Sequence, residues 1–156
     1  MNFELCLCHH PEEYENAKAI TRAYMEWLNM DLCFQNVDHE MNSFSQMYGE
    51  PQGAYILAKV GNAPAGGLGI RLLEKDICEM KRLYVYQRFQ GLGIGKALCL
   101  KSLEIAKILG YKTMRLDTVP RLIAANHLYE ALGFVDIPKY RDNPEPCARF
   151  MQKSLI

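Results

Sequence analysis

The most constraining feature of this chain is a glycine-rich turn at the point where the hydrophobic pattern changes its period. Residues 86–98 read Tyr-Gln-Arg-Phe-Gln-Gly-Leu-Gly-Ile-Gly-Lys-Ala-Leu. The run before it, Ile77 to Val85, has the composition of a strand, whereas apolar residues from Gly91 to Leu109 recur every three or four positions. The second pattern is typical of an amphipathic helix. The turn therefore joins a strand to a helix and predicts a fold that contains both.

Three glycines in this turn, Gly91, Gly93 and Gly95, allow the backbone to approach an anion without a Cβ in the way. The first turn of a helix also has unpaired N–H groups and a partial positive charge. Together these features predict a site for phosphate oxygens, with Arg88 and Lys96 adding charge at its rim.

Two familiar phosphate-binding loops do not fit this spacing. The NTPase loop requires Gly-Lys followed by Ser or Thr, but Gly95 and Lys96 are followed by Ala97. The dinucleotide fingerprint is Gly-x-Gly-x-x-Gly near the start of a βαβ unit. The interval from Gly93 to Gly95 is too short for it, and three predicted antiparallel strands come first. Neither ATP nor a dinucleotide is therefore the favoured ligand.

The order of the other predicted elements places the turn in one mixed domain. The predicted strands are Phe3 to Cys8, Ala54 to Val60, Ala65 to Leu73, Ile77 to Val85, Thr113 to Thr118, Phe134 to Ile137 and Cys147 to Leu155. One predicted helix begins at Pro11. The others span Val37 to Met47, Gly91 to Leu109 and Ala124 to Leu132. This order predicts a single α/β (α+β) domain over residues 1–156, antiparallel in its first half and with a βαβ unit in its second.

Composition narrows the class of protein further. Apolar residues make up 49% and charged residues 23% of the chain, the balance of an ordinary globular domain. Eighteen basic and eighteen acidic residues cancel, so nucleic acid and anionic membranes are not expected partners. The first residues show no signal-peptide pattern, and the six cysteines are expected to be reduced thiols. A cytoplasmic protein is the expectation.

A wider pattern around the turn resembles a known family. The spacing Gln90-x-x-Gly93-x-Gly95, preceded by the strand at 79–85, closely resembles motif A of the GNAT superfamily of N-acetyltransferases. The segment Ala-Asn-His-Leu-Tyr-Glu-Ala-Leu-Gly-Phe at 125–134 resembles the superfamily's Leu-Tyr-x-x-x-Gly-Phe segment. The order of elements matches too, so the resemblance covers nearly the whole chain.

The resemblance implies a fold and a donor site. The fold is a central mixed, mostly antiparallel sheet of about six or seven strands with helices on both faces. This sheet is splayed between the strand at 77–85 and the strand at 113–118. Residues 31–53 and 140–144 are similar to a bacterial-type branch whose substrate is unassigned. The implied co-substrate is acetyl-CoA, bound by Leu83, Tyr84, Val85, Gln90, Gly91, Leu92, Gly93, Ile94, Gly95 and Lys96.

Glu79 is the implied base that takes a proton from the acceptor amine. It stands six residues before Val85, where several members of the superfamily carry such a carboxylate. A carboxylate in a central strand is costly unless it is paired, which is consistent with a functional role. An ion pair with Lys81 or Arg82 is the structural alternative.

Tyr129 is the implied acid that protonates the leaving thiolate of CoA. A phenol with a pKa of about 10 suits a thiolate of similar basicity. The alternative is a core tyrosine that packs with Leu128 and Leu132. One residue departs from the family pattern, because Leu122 stands where many members have an asparagine that contacts CoA. The nearby Asn126 lies on a different helical face.

Other sequence features give weaker indications. The run Cys6-x-Cys8-His9-His10 contains zinc-ligand residue types, but no second ligand pair accompanies it, so no metal is expected. Tyr24, Trp27 and Phe34 are candidate contacts of the acceptor amine.

The sequence thus predicts transfer of acetyl from acetyl-CoA directly to a primary amine of a small molecule or peptide. A non-catalytic acyl-CoA sensor is the alternative, and a nucleotide-binding protein is a third reading. Homodimers are common among similar proteins, so a homodimer is one expected assembly. The acceptor itself is not readable from the residues.

Overall fold

A computed structural model describes residues 2–29 and 36–156. The strands are β1 (Glu4–Leu7), β2 (Ala54–Val60), β3 (Ala63–Glu74), β4 (Ile77–Val85), β5 (Thr113–Thr118), β6 (Val135–Ile137) and β7 (Arg149–Ser154). The helices are α1 (Pro11–Leu28), α2 (Val37–Asn42), α3 (Phe44–Met47), α4 (Ile94–Ile108) and α5 (Ile123–Ala131), with a 3-10 turn at Gln87–Phe89. Within these residues, no helix combines the length and apolarity needed to cross a bilayer.

The strands of the described residues form one seven-stranded sheet in the order β1-β2-β3-β4-β5-β7-β6. Neighbouring strands are antiparallel except β4 and β5, which are parallel. The parallel pair is joined through α4, as a βαβ unit requires. The predicted mixed, mostly antiparallel sheet is therefore confirmed.

The sheet opens between β4 and β5, also as predicted. Parallel pairing joins 77–79 of β4 to 113–115 of β5 and stops there. Beyond that point Arg82 has a φ of 64°, and the register against β3 shifts between Gly67 and Gly69. An extra residue on one strand of an antiparallel pair is a β-bulge, which bends its strand. The bend turns the end of β4 away from β5 and opens a cleft at the centre of the sheet.

Helices cover both faces of the sheet because its strands are apolar on both sides. Alternate residues of β2 belong to different cores, since successive strand side chains point to opposite faces. Ile56 packs in the core that includes Leu98 of α4, whereas Tyr55 and Leu57 pack in the core that includes Ile20 of α1. The cleft thus has α4 on one side of the sheet and α1 on the other.

The bulge is held in place by a buried ion pair with α2. Arg82 donates from Nη2 to Oε1 of Glu40 at 2.7 Å and from Nε to Oε2 at 3.1 Å. The Tyr48 hydroxyl donates to the same Oε2 at 2.6 Å. Burial raises the pKa of Glu40, but the hydrogen bonds and charge of Arg82 outweigh burial and leave that pKa below its ordinary value. The ion pair therefore ties Arg82, the residue of β4 with a positive φ, to the face of the sheet that carries α1 and α2.

Candidate active site

A cavity of about 700 Å³ occupies the cleft between the diverging strands. Its walls come from the end of β4, the glycine-rich turn, the start of α4, the end of β5, α5 and α1. Residues far apart in the chain meet here. They include Tyr24, Trp27, Lys81, Leu83, Tyr84, Val85, Gln90, Gly93, Lys96, Asp117, Arg121, Leu122, Tyr129 and Asn143.

One end of the cavity is the N-terminus of α4, which has the geometry of a phosphate site. Gly93 is the residue before the helix, and both Gly91 and Gly93 have a φ of 85°. A Cβ built on either residue, or on Gly95, would meet no atom within 4 Å. The Gln90 side chain donates from Nε2 to the Val85 carbonyl at 3.0 Å and so fixes the turn to the end of β4. Free N–H groups and the helix dipole at this point favour an anion.

This geometry predicts that Gly93→Ala weakens acetyl-CoA binding. A φ of 85° costs a residue with a Cβ about 1–2 kcal/mol, and the added methyl group occupies the surface where phosphate oxygens approach. We expect the Kd for acetyl-CoA, measured by titration calorimetry, to rise by at least about tenfold, which is 1.4 kcal/mol. Gly110→Ala is the matched control, because Gly110 also has a positive φ (96°) and open space but lies beyond the other end of α4. Equal Kd values for the two variants would contradict the assignment.

Most of the predicted donor-site residues line the cavity. They are Leu83, Tyr84, Val85, Gln90, Gly91, Gly93, Ile94, Gly95 and Lys96. Leu92 is not among the lining residues and packs against the main core. Its backbone N–H still belongs to the turn, so the structure is compatible with the predicted role of its amide but not with a side-chain contact.

Glu79 lies outside the cavity and is enclosed by charged and polar partners. Its side chain is fully buried, with Oε1 at 3.4 Å from Nη1 of Arg71 and 3.7 Å from Nζ of Lys81. Its Oε2 accepts from the Tyr140 hydroxyl at 2.6 Å and from Nη1 of Arg141 at 3.0 Å. Burial raises the pKa of Glu79, but the charges of Lys81 and Arg141 and the Tyr140 hydrogen bond outweigh it and lower the net pKa. The base role of Glu79 stays a prediction.

Lys81 connects this buried carboxylate to the cavity. It contacts Glu79 on one side and lines the cavity on the other. Burial lowers the pKa of Lys81 to about 8, with the charge of Glu79 opposing that shift. The suggested alternative for Glu79, an ion pair with Lys81 or Arg82, is correct for Lys81 and wrong for Arg82, because Arg82 pairs with Glu40. The bulge explains the difference, since it changes the direction of the side chains that follow it.

Tyr129 lines the cavity from α5. It is 6% exposed and packs edge-on against Phe134 with ring centroids 5.9 Å apart. Burial raises its pKa well above the ordinary value, and the nearby negative charge of Asp117 adds to this shift. The hydroxyl makes no hydrogen bond to another described residue. Tyr129 thus packs in the core and also reaches the cavity, and its role as the acid stays a prediction.

Asn126, the asparagine nearest to Leu122, is not among the residues that line the cavity. Leu122 precedes α5 and lines the cavity. Asn126 is buried, accepts a hydrogen bond from the Thr118 hydroxyl at 2.6 Å and donates to the Val119 carbonyl at 2.9 Å. Asn126 therefore ties α5 to the end of β5 from inside the fold.

Asp117 is a functional candidate that the sequence did not reveal. It lines the cavity near the end of β5, and its side chain is 10% exposed. Nδ2 of Asn143 donates to its Oδ2 at 3.2 Å, and Nη1 of Arg141 is 4.0 Å from its Oδ1. No local pattern marks this aspartate, because its neighbours in space come from the segment after β6.

The candidate acceptor contacts on α1 also reach the cavity. Tyr24 and Trp27 line it, and their rings pack against Tyr84 with centroid distances of 5.8 and 5.7 Å. Phe34 lies outside the described residues. Among the described residues, no group of three or more His, Cys, Asp or Glu side chains is arranged to hold a metal ion.

Comparison with known proteins identifies the family. The model of the acetyltransferase (GNAT) family matches residues 21–134, so the chain belongs to this family of N-acetyltransferases. An uncharacterised N-acetyltransferase of Schizosaccharomyces pombe is 33% identical, with 99% of this chain and 96% of that protein covered. Human N-acetylaspartate synthetase is 35% identical over 78% of this chain, which corresponds to 38% of that protein.

Solved structures confirm the GNAT fold. A GNAT-family acetyltransferase from Staphylococcus aureus superimposes with a TM-score of 0.81 at 19% identity, covering 99% of this chain and 100% of that one. The PaiA N-acetyltransferase from Thermoplasma acidophilum, solved in complex with coenzyme A, has a TM-score of 0.71 at 18% identity and covers 99% of both chains. At these identities the likeness concerns the fold.

Proposed function

We propose that the protein transfers acetyl from acetyl-CoA directly to a primary amine of a small molecule. The observation that carries this proposal is the single cavity that joins the glycine-rich turn, the bulged strand and Tyr129. A phosphate site alone would suit many ligands. Its continuity with the end of β4 and with a phenol suits a long ligand that has a pyrophosphate at one end and a thioester at the other.

Relatives support both halves of the reaction. The structural neighbour PaiA was solved with coenzyme A, which supports CoA as the donor. Relatives named N-acetylaspartate synthetase support a small amino acid as the acceptor, and the human protein shares 35% identity over 78% of this chain. The size of the cavity, about 700 Å³, accommodates a pantetheine arm together with a small acceptor.

The chemistry follows from the groups that meet in the cavity. The acceptor ammonium loses a proton, and the neutral amine attacks the thioester carbonyl carbon. The C–S bond then breaks, the thiolate takes the proton of the Tyr129 hydroxyl, and the second amine proton restores the phenol. The products are the amide, free CoA and one proton. The Lys81–Glu79 pair offers the first proton a path away from the cavity, because Lys81 lines it and contacts Glu79.

Thiol release from acetyl-CoA in the presence of a panel of primary amines tests the proposal. The panel pairs amino acids that have a single carboxylate with the amines formed by removing it: alanine with ethylamine, leucine with isoamylamine, phenylalanine with phenethylamine, and lysine with cadaverine. Aspartate and glutamate are included without a partner, because their decarboxylated forms still carry a carboxylate. We expect turnover with at least one acceptor, with the acetylated product identified by its mass. Acetyl-CoA binding without turnover on any amine would contradict the proposal and favour a non-catalytic acyl-CoA sensor.

A further inference from the structure

Asp117 occupies the position in the cleft that best suits an acceptor amine. Parallel pairing of β4 and β5 ends at Glu79 and Arg115, so the next level of the cleft is formed by Lys81 on one side and Asp117 on the other. Both of these residues line the cavity, whereas Glu79 does not. Among the described residues that line the cavity, Asp117 is therefore the one that presents a carboxylate.

The surroundings of Asp117 combine a fixed carboxylate with an aromatic wall. Asn143 holds its Oδ2 at 3.2 Å, which leaves Oδ1 less constrained, with Arg141 at 4.0 Å. Tyr24 and Trp27 on α1 line the same cavity, with their ring centroids 6.4 Å apart. Burial is the largest cause of the raised pKa of both Tyr24 and Tyr129, and the charge of Asp117 contributes to each shift. The charge of Asp117 thus acts on the phenols of both Tyr24 and Tyr129, which line the same cavity.

Glu79, by comparison, is enclosed by side chains of the fold and contacts the segment after β6. Tyr140 and Arg141 both donate to its Oε2, and Arg71 and Lys81 flank its Oε1. These contacts anchor the segment after β6 across the sheet, and Asn143 then extends from the same segment to Asp117. The buried carboxylate of Glu79 positions the segment after β6, whereas the carboxylate of Asp117 faces the cavity and is available for a ligand.

We propose that Asp117 binds the ammonium group of the acceptor and that the preferred acceptors are small amines that also carry a carboxylate, bound by Arg121. This inference rests on the proposed function. An ammonium beside Asp117 gains a charge-assisted hydrogen bond and lies near the aromatic faces of Tyr24 and Trp27, which attract cations.

The positive charges of Arg121 and Lys81 favour acceptors that carry a carboxylate. Arg121 lines the cavity from the stretch that follows β5, and its side chain is 51% exposed. Its ion pair with Glu145 at 3.7 Å is a surface pair, which contributes little stability and can exchange for a ligand carboxylate. Lys81 adds a second positive charge to the cavity from the β4 side. A diamine would meet these two cations with its second ammonium group and is therefore disfavoured.

The paired amine panel tests the substrate class on the unaltered protein. We expect the best carboxylate-bearing acceptor to exceed its decarboxylated partner in kcat/KM by about tenfold or more, which corresponds to one charge-assisted interaction. Arg121→Gln should remove this preference, and Lys107→Gln, on the surface of α4, should keep it. Turnover that is equal within each pair, or higher for cadaverine than for lysine, would overturn the inference while leaving acetyl transfer intact.

Asp117→Asn tests the ammonium site with the best acceptor. We expect its KM for the amine to rise by about 10- to 100-fold, with the Kd for acetyl-CoA unchanged. Asp142→Asn is the control, since Asp142 is a 94% exposed carboxylate of the same segment. Asn143→Ala removes the hydrogen bond to Asp117 but keeps the charge, so its effect on KM should be smaller.

An unchanged KM in Asp117→Asn, with a raised KM in Glu79→Gln, would place the amine at Glu79 instead. The panel on the unaltered protein keeps the proposal falsifiable should Asp117→Asn not fold.

Discussion

Replacing Glu40 with glutamine is expected to lower the free energy of unfolding by about 3–5 kcal/mol. The substitution preserves volume but leaves the Arg82 guanidinium buried without its counter-charge, and the Arg82 side chain is only 5% exposed. A charge that is buried and uncompensated costs far more than a lost surface pair. Since domains of this size are stable by only about 5–15 kcal/mol, urea unfolding should show a large shift of the midpoint.

Two further variants separate this effect from ordinary loss of an ion pair. Glu104→Gln breaks a surface pair with Lys101, whose atoms are 3.4 Å apart, and should cost less than about 1 kcal/mol. The double variant Glu40→Leu with Arg82→Met removes both charges and should recover much of the lost stability. If Glu40→Gln lowers the free energy of unfolding no more than Glu104→Gln does, the buried Arg82 charge does not depend on the Glu40 carboxylate.

The glycine-rich turn could be predicted from the sequence because its determinants are local. Gly91 and Gly93 need a positive φ, and the helix that follows begins within one residue of Gly93. The Glu79–Lys81 ion pair could also be predicted from the sequence, because residues two apart on a strand share a face. Pairing across the sheet followed from the order of the strands and from the resemblance to the family.

The polar network behind the cavity could not be predicted, because its partners are far apart in the chain. Arg82 and Glu40 are separated by 42 residues, Tyr140 and Glu79 by 61, and Asn143 and Asp117 by 26. Nothing in the local pattern links these positions. The bulge at Arg82 adds a second difficulty, since it breaks the strand alternation on which assignments of facing side chains depend.

The network also changes the interpretation of the two acidic residues in the cleft. In the sequence, Glu79 stands out because it lies in a strand next to the phosphate turn. In the structure, its oxygens contact four donors, whereas Asp117 faces the cavity. The residues predicted for the donor site are easier to place from sequence, because the turn is continuous in the chain, whereas the wall proposed for the acceptor is assembled from α1, β5 and the segment after β6.

Tyr129→Phe is expected to reduce kcat for acetyl transfer by about 100- to 1,000-fold, which is the contribution typical of a general acid. The phenol lines the cavity, and without its proton the leaving thiolate must depart unprotonated. The KM for the amine and the Kd for acetyl-CoA should stay near their original values, since the ring and its packing on Phe134 are kept. Steady-state kinetics with the best acceptor of the panel measures both quantities.

Stability measurements separate loss of the acid from damage to the fold. The Tyr129 hydroxyl makes no hydrogen bond to another described residue, so Tyr129→Phe should unfold at nearly the same urea concentration as the original protein. Tyr14→Phe is the opposite case, because the Tyr14 hydroxyl donates to the Tyr48 carbonyl at 2.9 Å on the face that carries α1. That variant should lose about 1 kcal/mol of stability and keep its kcat. A kcat for Tyr129→Phe within about threefold of the original would mean that the thiolate leaves without this acid, since a general acid contributes far more than that.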